Sequence, residues 1–176
     1  MTSTIRRFVC GAALAAALLA SPAIALAQAA DTITGPASAN GPDIIVVNDQ
    51  RVVLLGIDAP EANQTCQDGD KTWTCADTAM AVLDQTVKAG PVTCTLRGPM
   101  DPFGRRNGVC TVGGQDVGRT LVQQGLAVVY AHDPESKDYV ADQVAAKKAK
   151  VGLWQDGVTF INPWEYRAKH NHTPFK

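Results

Sequence analysis

Two carboxylates, Asp58 and Glu61, follow directly after an apolar run of the chain. Residues 52–55 are all apolar, a pattern that predicts a buried strand. Pro60 ends the strand because proline offers no N–H to a neighbouring strand and fixes its own φ. Asp58 and Glu61 should then project from the rim of a sheet, where both can face one metal cation or one water molecule. An ordinary acidic turn is the alternative for these residues alone.

A β-hairpin is predicted to bring a third carboxylate to the same place. Residues 44–47 form its first strand, residues 48–50 reverse the chain, and residues 51–57 return beside the first strand. Asp43 stands at the start of one strand and Asp58 at the end of its partner. The hairpin therefore predicts that three carboxylates, with Glu61, converge.

The remaining elements predict an α+β fold. Residues 76–87 have helical spacing, residues 92–96 and 109–112 are strands, Asp116 caps a short helix through Gln124, and Ser136 opens a last helix. This order, with antiparallel pairing, is typical of a five-stranded Greek-key β-barrel of the oligonucleotide-binding (OB) type with about three helices.

Four segments are predicted along the chain. Residues 1–27 resemble a secretory signal peptide, with two arginines, an apolar run and a small-residue cleavage site; an uncleaved anchor is the alternative. Residues 28–40 are predicted to be a flexible tether, residues 41–167 the folded domain, and residues 168–176 a tail. Acidic residues outnumber basic ones by 17 to 16, so the composition predicts no bulk attraction to nucleic acid.

The cysteines predict two disulfides. Cys10 belongs to the predicted signal peptide, which leaves four cysteines in an exported chain. Three connectivities are possible for four cysteines. The spacing favours Cys66 with Cys75, which closes a short loop, and Cys94 with Cys110, across a hairpin. A zinc site is disfavoured because no Cys-x-x-Cys occurs and no histidine lies near.

Five separated motifs resemble those of the thermonuclease family, the staphylococcal-nuclease-like enzymes, in the family's order. They are Asp43; Leu54-x-Gly56-Ile57-Asp58-Ala59-Pro60-Glu61; Asp101-x-Phe103-Gly104-Arg105; Leu121-Val122-x-Gln124-Gly125-Leu126-Ala127; and Gly152-Leu153-Trp154 with Pro163-Trp164-Glu165. The resemblance implies a calcium-dependent phosphodiesterase that acts on DNA and RNA and is built on an OB barrel.

The resemblance also implies a role for each matching residue. Asp43 and Asp58 would be side-chain ligands of calcium, with the backbone carbonyl of Ala59 as a third ligand. Glu61 would orient or deprotonate the attacking water, and Arg105 would bind the phosphate. These roles agree with the chemistry, because calcium prefers oxygen ligands and a phosphoryl transition state needs positive charge at its oxygens.

One departure from the family concerns Val53, which stands five residues before Asp58, where the family carries an arginine. The lost guanidinium is a bidentate phosphate donor, and its loss predicts reduced activity. Arg51 lies on the same face of the strand and Arg106 adjoins Arg105, so either could compensate. The alternative is that both are solvated surface arginines.

The sequence therefore predicts an exported nuclease, periplasmic or extracellular, that binds Ca²⁺ and nucleic acid, acts as a monomer and does not associate with the membrane once its signal is cleaved. The first alternative is an OB-fold nucleic-acid-binding module whose catalysis decayed. The second is a structural domain stabilised by calcium.

Overall fold

The computed structural model describes residues 31–170, which combine β-sheets with four α-helices. The predicted α+β class is confirmed. The predicted signal peptide over residues 1–27, and residues 171–176 of the predicted tail, lie outside the described residues. In residues 31–170 no helix has both the length and the apolar character needed to cross a membrane.

The strands of this part of the chain are β1 (Thr32–Gly35), β2 (Ala37–Ala39), β3 (Ile44–Val47), β4 (Gln50–Leu54), β5 (Ile57–Asp58), β6 (Cys66–Asp68), β7 (Lys71–Trp73), β8 (Val92–Arg97), β9 (Arg105–Val112), β10 (Gln115–Asp116), β11 (Val128–Val129) and β12 (Val158–Thr159). The helices are α1 (Cys75–Val87), α2 (Val117–Gln123), α3 (Val140–Ala149) and α4 (Pro163–Lys169), with 3₁₀ helices over Pro134–Tyr139 and Gly152–Trp154.

The largest sheet has seven strands, in the order β1-β8-β9-β4-β3-β2, with β10 beside β9. Its neighbours are antiparallel except β4 and β9, which run parallel. The predicted hairpin is β3 and β4, in which Ile44 lies opposite Val53. Asn48 and Asp49 form its turn with φ of 45° and 64°, the left-handed conformation that two-residue hairpin turns require.

Two small sheets complete the fold and place the predicted carboxylates. In the first, β5 pairs with β11, and Asp58 lies opposite Val128. The second has the order β12-β6-β7 and follows the turn that carries Glu61. Asp43 precedes β3, and its carbonyl oxygen accepts the N–H of Leu54 at 3.0 Å. The strand ends that carry Asp43 and Asp58 therefore lie side by side.

The core lies between the large sheet and helices α1 and α2. Leu83 and Val87 of α1 and Leu121 and Val122 of α2 are fully buried against sheet residues such as Val52. The buried residues of α1 recur every four positions, which places them on one helical face. This packing gives the site a rigid floor, because replacing a buried leucine by alanine in such a core costs about 2–5 kcal/mol.

Two details of the fold differ from the sequence prediction. The predicted count of five strands is wrong, because the large sheet alone has seven strands and its ladders do not close into a barrel within the described residues. The segment 28–40, predicted as a tether, contains β1 and β2. These pair with β8 and β3, and their small and polar residues sit at the two edges of the sheet.

Both predicted disulfides are confirmed. Cys66–Cys75 joins β6 to the start of α1, with Cα atoms 5.8 Å apart. Cys94–Cys110 links directly opposed residues of β8 and β9, with Cα atoms 4.0 Å apart. Disulfides of this kind are typical of proteins that fold in an oxidising, exported compartment.

Candidate active site

Asp58 is the centre of the candidate site. It ends β5 and has no exposed surface. The turn before it depends on Gly56, whose φ of +78° favours glycine and whose added Cβ would lie 2.5 Å from the ring of Tyr139. The N–H of Gly56 donates to Asp133 at 3.1 Å, and its carbonyl accepts the N–H of Tyr130 at 3.0 Å. The turn thus holds the carboxylate at a fixed depth below the surface.

Arg167 of α4 pairs with this carboxylate through both ends of its guanidinium. Nη1 donates to Asp58 Oδ1 at 2.8 Å, and Nη2 donates to Oδ2 at 3.0 Å. Nη1 also donates to Glu61 Oε1. Arg167 is itself only 4 % exposed. Burial of a carboxylate is strongly unfavourable without a partner, and the pairing with Arg167 offsets the burial of Asp58.

The pKa of Arg167 shows which effect dominates at this pair. Burial alone would lower the pKa of the guanidinium, but the hydrogen bonds and charges of Asp58 and Glu61 outweigh burial and raise it above its ordinary value. The ring of Tyr130 adds a cation–π contact, 5.9 Å from the guanidinium carbon. Arg167 therefore carries a fixed positive charge at every accessible pH.

Glu61 lies in the turn after Pro60 and is the carboxylate of the three that water reaches best. Its side chain is 28 % exposed, whereas Asp43 is 7 % exposed and Asp58 fully buried. Gln64 shapes the turn, since its Oε1 accepts the N–H of Glu61 at 2.9 Å. A carboxylate that meets solvent at one side and a guanidinium at the other can orient a water molecule.

Asp43 lies beside the turn after Asp58. Its Oδ2 accepts the N–H of Ala59 at 3.4 Å, a long hydrogen bond across the two strand ends. The role of Asp43 and Asp58 as calcium ligands, with the Ala59 carbonyl, stays a prediction. Within residues 31–170, no group of three or more histidine, cysteine or acidic side chains is arranged to hold a metal ion.

Arg105, the predicted phosphate ligand, begins β9 and is held by its own loop. Its Nε donates to Asp101 Oδ2 at 2.7 Å, and Phe103 lies 5.1 Å from its guanidinium carbon. Asp101 also accepts the backbone N–H groups of Phe103 and Arg105. Burial opposes ionisation of Asp101, but these hydrogen bonds outweigh it and lower its pKa.

The two predicted substitutes for the missing arginine have partners of their own. Arg51 opposes Arg105 across the parallel β4–β9 pair and donates to the carbonyl of Phe103. Arg106 donates to Asp31 at 2.7 Å. Arg51 is thus held against the loop before β9, and Arg106 against the residue before β1.

Val53 is 2 % exposed and lies between Ile44 and Asn107 in the large sheet. Its side chain lines a cavity of about 290 Å³ whose wall also contains Arg97, Tyr130 and Glu135. Val53, at the position where the resembling family carries an arginine, therefore borders a cavity that is also lined by the carboxylate of Glu135.

Sequence reasoning missed Arg167. The resemblance included Pro163-Trp164-Glu165, but Arg167 itself was assigned only the end of the domain. The signal that could have found it is electrostatic: a buried Asp58 needs a cation, and residues 52–64 contain no arginine or lysine. That argument predicts a distant basic residue without saying which one.

The fold and the site together define a small α+β protein whose acidic site lies at a strand end and is completed by a guanidinium from the C-terminal helix. A family model described as "Staphylococcal nuclease homologue" matches residues 51–156. The chain belongs to the family of staphylococcal nuclease homologues. It is also 36 % identical over 149 residues, covering 82 % of this chain and 74 % of the relative, to the succinoglycan biosynthesis protein ExoI of Rhizobium meliloti (strain 1021).

Proposed function

We propose that this protein is a nuclease-like phosphodiesterase that hydrolyses DNA, RNA or both. The observation that carries the proposal is the pairing of Asp58 and Glu61 around one buried guanidinium at a strand end, in a chain of the staphylococcal nuclease homologue family. Hydrolysis of a phosphodiester needs a base for water and positive charge at the phosphate. Glu61 would supply the base, and Arg167 beside it and the proposed phosphate ligand Arg105 would supply the positive charge.

Glu61 is the proposed base. It is partly exposed, and its contact with Arg167 fixes the carboxylate in one orientation. Arg105 is the proposed phosphate ligand, because Asp101 and Phe103 hold its guanidinium in place before substrate arrives. A donor that is already oriented stabilises developing charge without reorganisation during the reaction.

Calcium, which the family generally uses, does not fit the proposed ligands in this arrangement. Both carboxylate oxygens of Asp58 already accept hydrogen bonds from Arg167, and Asp43 accepts the N–H of Ala59. Calcium takes about six to eight oxygen ligands, and the guanidinium bound to both carboxylate oxygens of Asp58 would repel it. No step of the proposed reaction therefore passes through calcium.

A nucleic-acid-binding module without catalysis is the second candidate. It is favoured by the apolar Val53 at the family's arginine position and by aromatic rings beside the site. His132 stacks on Trp164 with centroids 5.2 Å apart, and Tyr130 lies 5.3 Å from His132. Trp164 is 40 % exposed. Exposed rings next to basic side chains are typical of surfaces that stack single-stranded bases.

The organisation of the protein is proposed on the same basis. Residues 41–167 would be the functional domain, released by cleavage after residue 27 and exported to the periplasm or the medium as a monomer. The succinoglycan relative is named for biosynthesis and not for nuclease activity. The proposed substrate of this chain is DNA, RNA or both.

Digestion of labelled oligonucleotides by the purified protein tests the proposal. Single-stranded and double-stranded DNA and RNA should be incubated with the parent and with Glu61→Gln, in calcium and in a chelator. We expect cleavage by the parent and loss of cleavage in Glu61→Gln. Binding of single strands without cleavage by the parent would favour the second candidate instead.

A further inference from the structure

Arg167 lies between two carboxylates of the candidate site. Its Nη1 donates to both Asp58 and Glu61, and its Nη2 donates to the second oxygen of Asp58. The positive charge thus lies between two acidic residues that are three positions apart in the sequence. A planar guanidinium matches a carboxylate with two parallel hydrogen bonds, which makes this pairing specific in geometry as well as favourable in charge.

The carboxylates dictate how the guanidinium lies. Its Nε is buried, and none of the described residues provides it with a hydrogen-bond partner. Leaving a buried donor unsatisfied is unfavourable. Both Nη groups nevertheless bind carboxylates. The hydrogen bonds to Asp58 and Glu61 therefore outweigh the cost of leaving Nε without one.

The helix that carries Arg167 is fastened to the same site from two further sides. Asn162 caps α4 by accepting the N–H of Trp164 at 3.1 Å. Just before the cap, the carbonyl of Ile161 accepts Nε2 of Gln64 at 2.6 Å, and Gln64 is the residue that shapes the Glu61 turn. Trp164 stacks on His132. The contacts that position α4 therefore include a residue of the turn that carries Glu61.

We propose that Arg167 is a protein-supplied cation that keeps divalent metal ions out of the Asp58–Glu61 site. The inference rests on the proposed function for the identity of the site, but it concerns metal binding and is tested without measuring cleavage. Replacing Arg167 by a neutral side chain removes this positive charge from between the two carboxylates. A divalent cation can then take its place, with Asp43 and the Ala59 carbonyl nearby as oxygen donors.

Terbium luminescence provides a direct probe, because Tb³⁺ binds calcium sites and is sensitised by nearby tyrosine. Tyr130 lies 5.9 Å from the guanidinium carbon, so a metal ion in the place of the guanidinium would lie within sensitising distance. We expect Arg167→Gln to show luminescence that calcium competes away. The parent, Arg167→Lys and the double variant Asp58→Asn/Arg167→Gln should show none. Lys169→Gln, an exposed change of equal charge on the same helix, is the matched control and should behave as the parent does.

Thermal melting gives the second readout. Calcium at about 100 times its dissociation constant should raise the Tm of Arg167→Gln by about 5–10 °C and should leave the parent unchanged. If Arg167→Gln is unfolded without metal, the expected result is that calcium restores its folded circular-dichroism spectrum.

Three results would overturn the inference. The first is calcium-competed luminescence or a calcium-induced Tm shift in the parent that Asp58→Asn abolishes. The second is a folded Arg167→Gln that binds no metal. The third is an Arg167→Gln that stays unfolded in calcium. Absence of cleavage in any variant bears on the proposed function alone, since none of these readouts uses substrate.

Discussion

Asp58 has no exposed surface, and its carboxylate pairs with the guanidinium of Arg167 at 2.8 Å. Burying an ion pair contributes little net stability compared with an apolar pair, but removing one partner leaves an uncompensated charge. The residue that sets the properties of the site therefore lies 109 positions away in the sequence. Val53, by contrast, is an uncharged residue that lines a cavity.

Replacement of Arg167 should be severe. We expect Arg167→Met to lower the free energy of unfolding by about 3–5 kcal/mol, because the buried Asp58 would lose both hydrogen bonds and the charge of this guanidinium. Asp58→Asn/Arg167→Met should be less destabilised than the sum of the single changes. Urea denaturation monitored by circular dichroism measures these values. Lys169→Met removes the same charge from the exposed side of α4 and should change stability by less than about 0.5 kcal/mol.

Restoring the arginine of the resembling family tests the role of Val53. The cavity of about 290 Å³ beside Val53 has room for a longer side chain and contains Glu135. Val53→Arg should therefore fold, and it should raise the cleavage rate about 10-fold or more by adding a phosphate donor. Val53→Lys is the control: it adds the charge without the bidentate fork and should gain less. An unchanged rate in Val53→Arg, in a parent that cleaves, would show that another arginine already serves the phosphate.

At the scale of elements, the 3₁₀ helix Pro134–Tyr139 begins at the wall of the cavity beside Val53. Asp133 caps it by accepting the N–H of Glu135 at 2.9 Å and also holds the Gly56 turn. The side-chain hydrogen bond and negative charge of Asp133 raise the pKa of Glu135, and Arg97, 3.7 Å away, only partly opposes this. Folding therefore favours the protonated form of Glu135.

This shift predicts a pH dependence of stability. A carboxyl group whose pKa is raised by folding contributes stability below its unfolded pKa and loses that contribution as the pH rises through the folded pKa. Glu135→Gln, which imitates the protonated form, should therefore raise the Tm at neutral pH, and the difference from the parent should vanish in acid. Asp138→Asn, an exposed change on the same helix, is the control. A Tm difference for Glu135→Gln that grows as the pH falls would contradict this.

The local elements could be predicted better than the contacts between distant ones. The β3–β4 hairpin follows from two continuous apolar runs joined by a left-handed turn. Asp116 caps α2 as its position predicts, accepting the N–H of Arg119 at 2.8 Å. The edge strands β1 and β2 could not be predicted, because their small polar residues acquire strand structure only from their partners β8 and β3.

The candidate site shows the same division. Asp43, Asp58 and Glu61 could be located because one hairpin and one turn place them, and hairpin register is a local property. Arg167 could not, because the docking of α4 depends on Gln64 and on stacking with His132, contacts that join distant parts of the chain. No periodicity of the sequence encodes such a pairing.

At the scale of the whole molecule, the disulfides join the elements that form the floor and the wall of the site. Cys94–Cys110 links neighbouring strands of the large sheet, and Cys66–Cys75 fixes β6 against α1, close to the Glu61 turn. A cross-link stabilises mainly by restricting the unfolded chain, and the effect grows slowly with the length of the closed loop.

Removing one disulfide should therefore have a predictable cost. For the separation of 16 residues between Cys94 and Cys110, we expect Cys94→Ala/Cys110→Ala to lose about 3 kcal/mol. Cys66→Ala/Cys75→Ala should lose somewhat less, because its separation is 9 residues. Guanidinium denaturation of both double variants checks the order, and a larger loss for the shorter loop would contradict the entropic account.

The central claim is that the Asp58–Glu61–Arg167 arrangement hydrolyses phosphodiesters with Glu61 as base. The most direct measurement is the initial rate of cleavage of a fluorescent single-stranded oligonucleotide by the parent and by Glu61→Gln, with Glu165→Gln on the exposed side of α4 as the matched control. We predict that Glu61→Gln cleaves at least about 10²-fold more slowly, the usual contribution of a general base, while Glu165→Gln keeps the parental rate. Equal rates in the parent and Glu61→Gln, or no cleavage by a folded parent that binds the oligonucleotide, would contradict the claim.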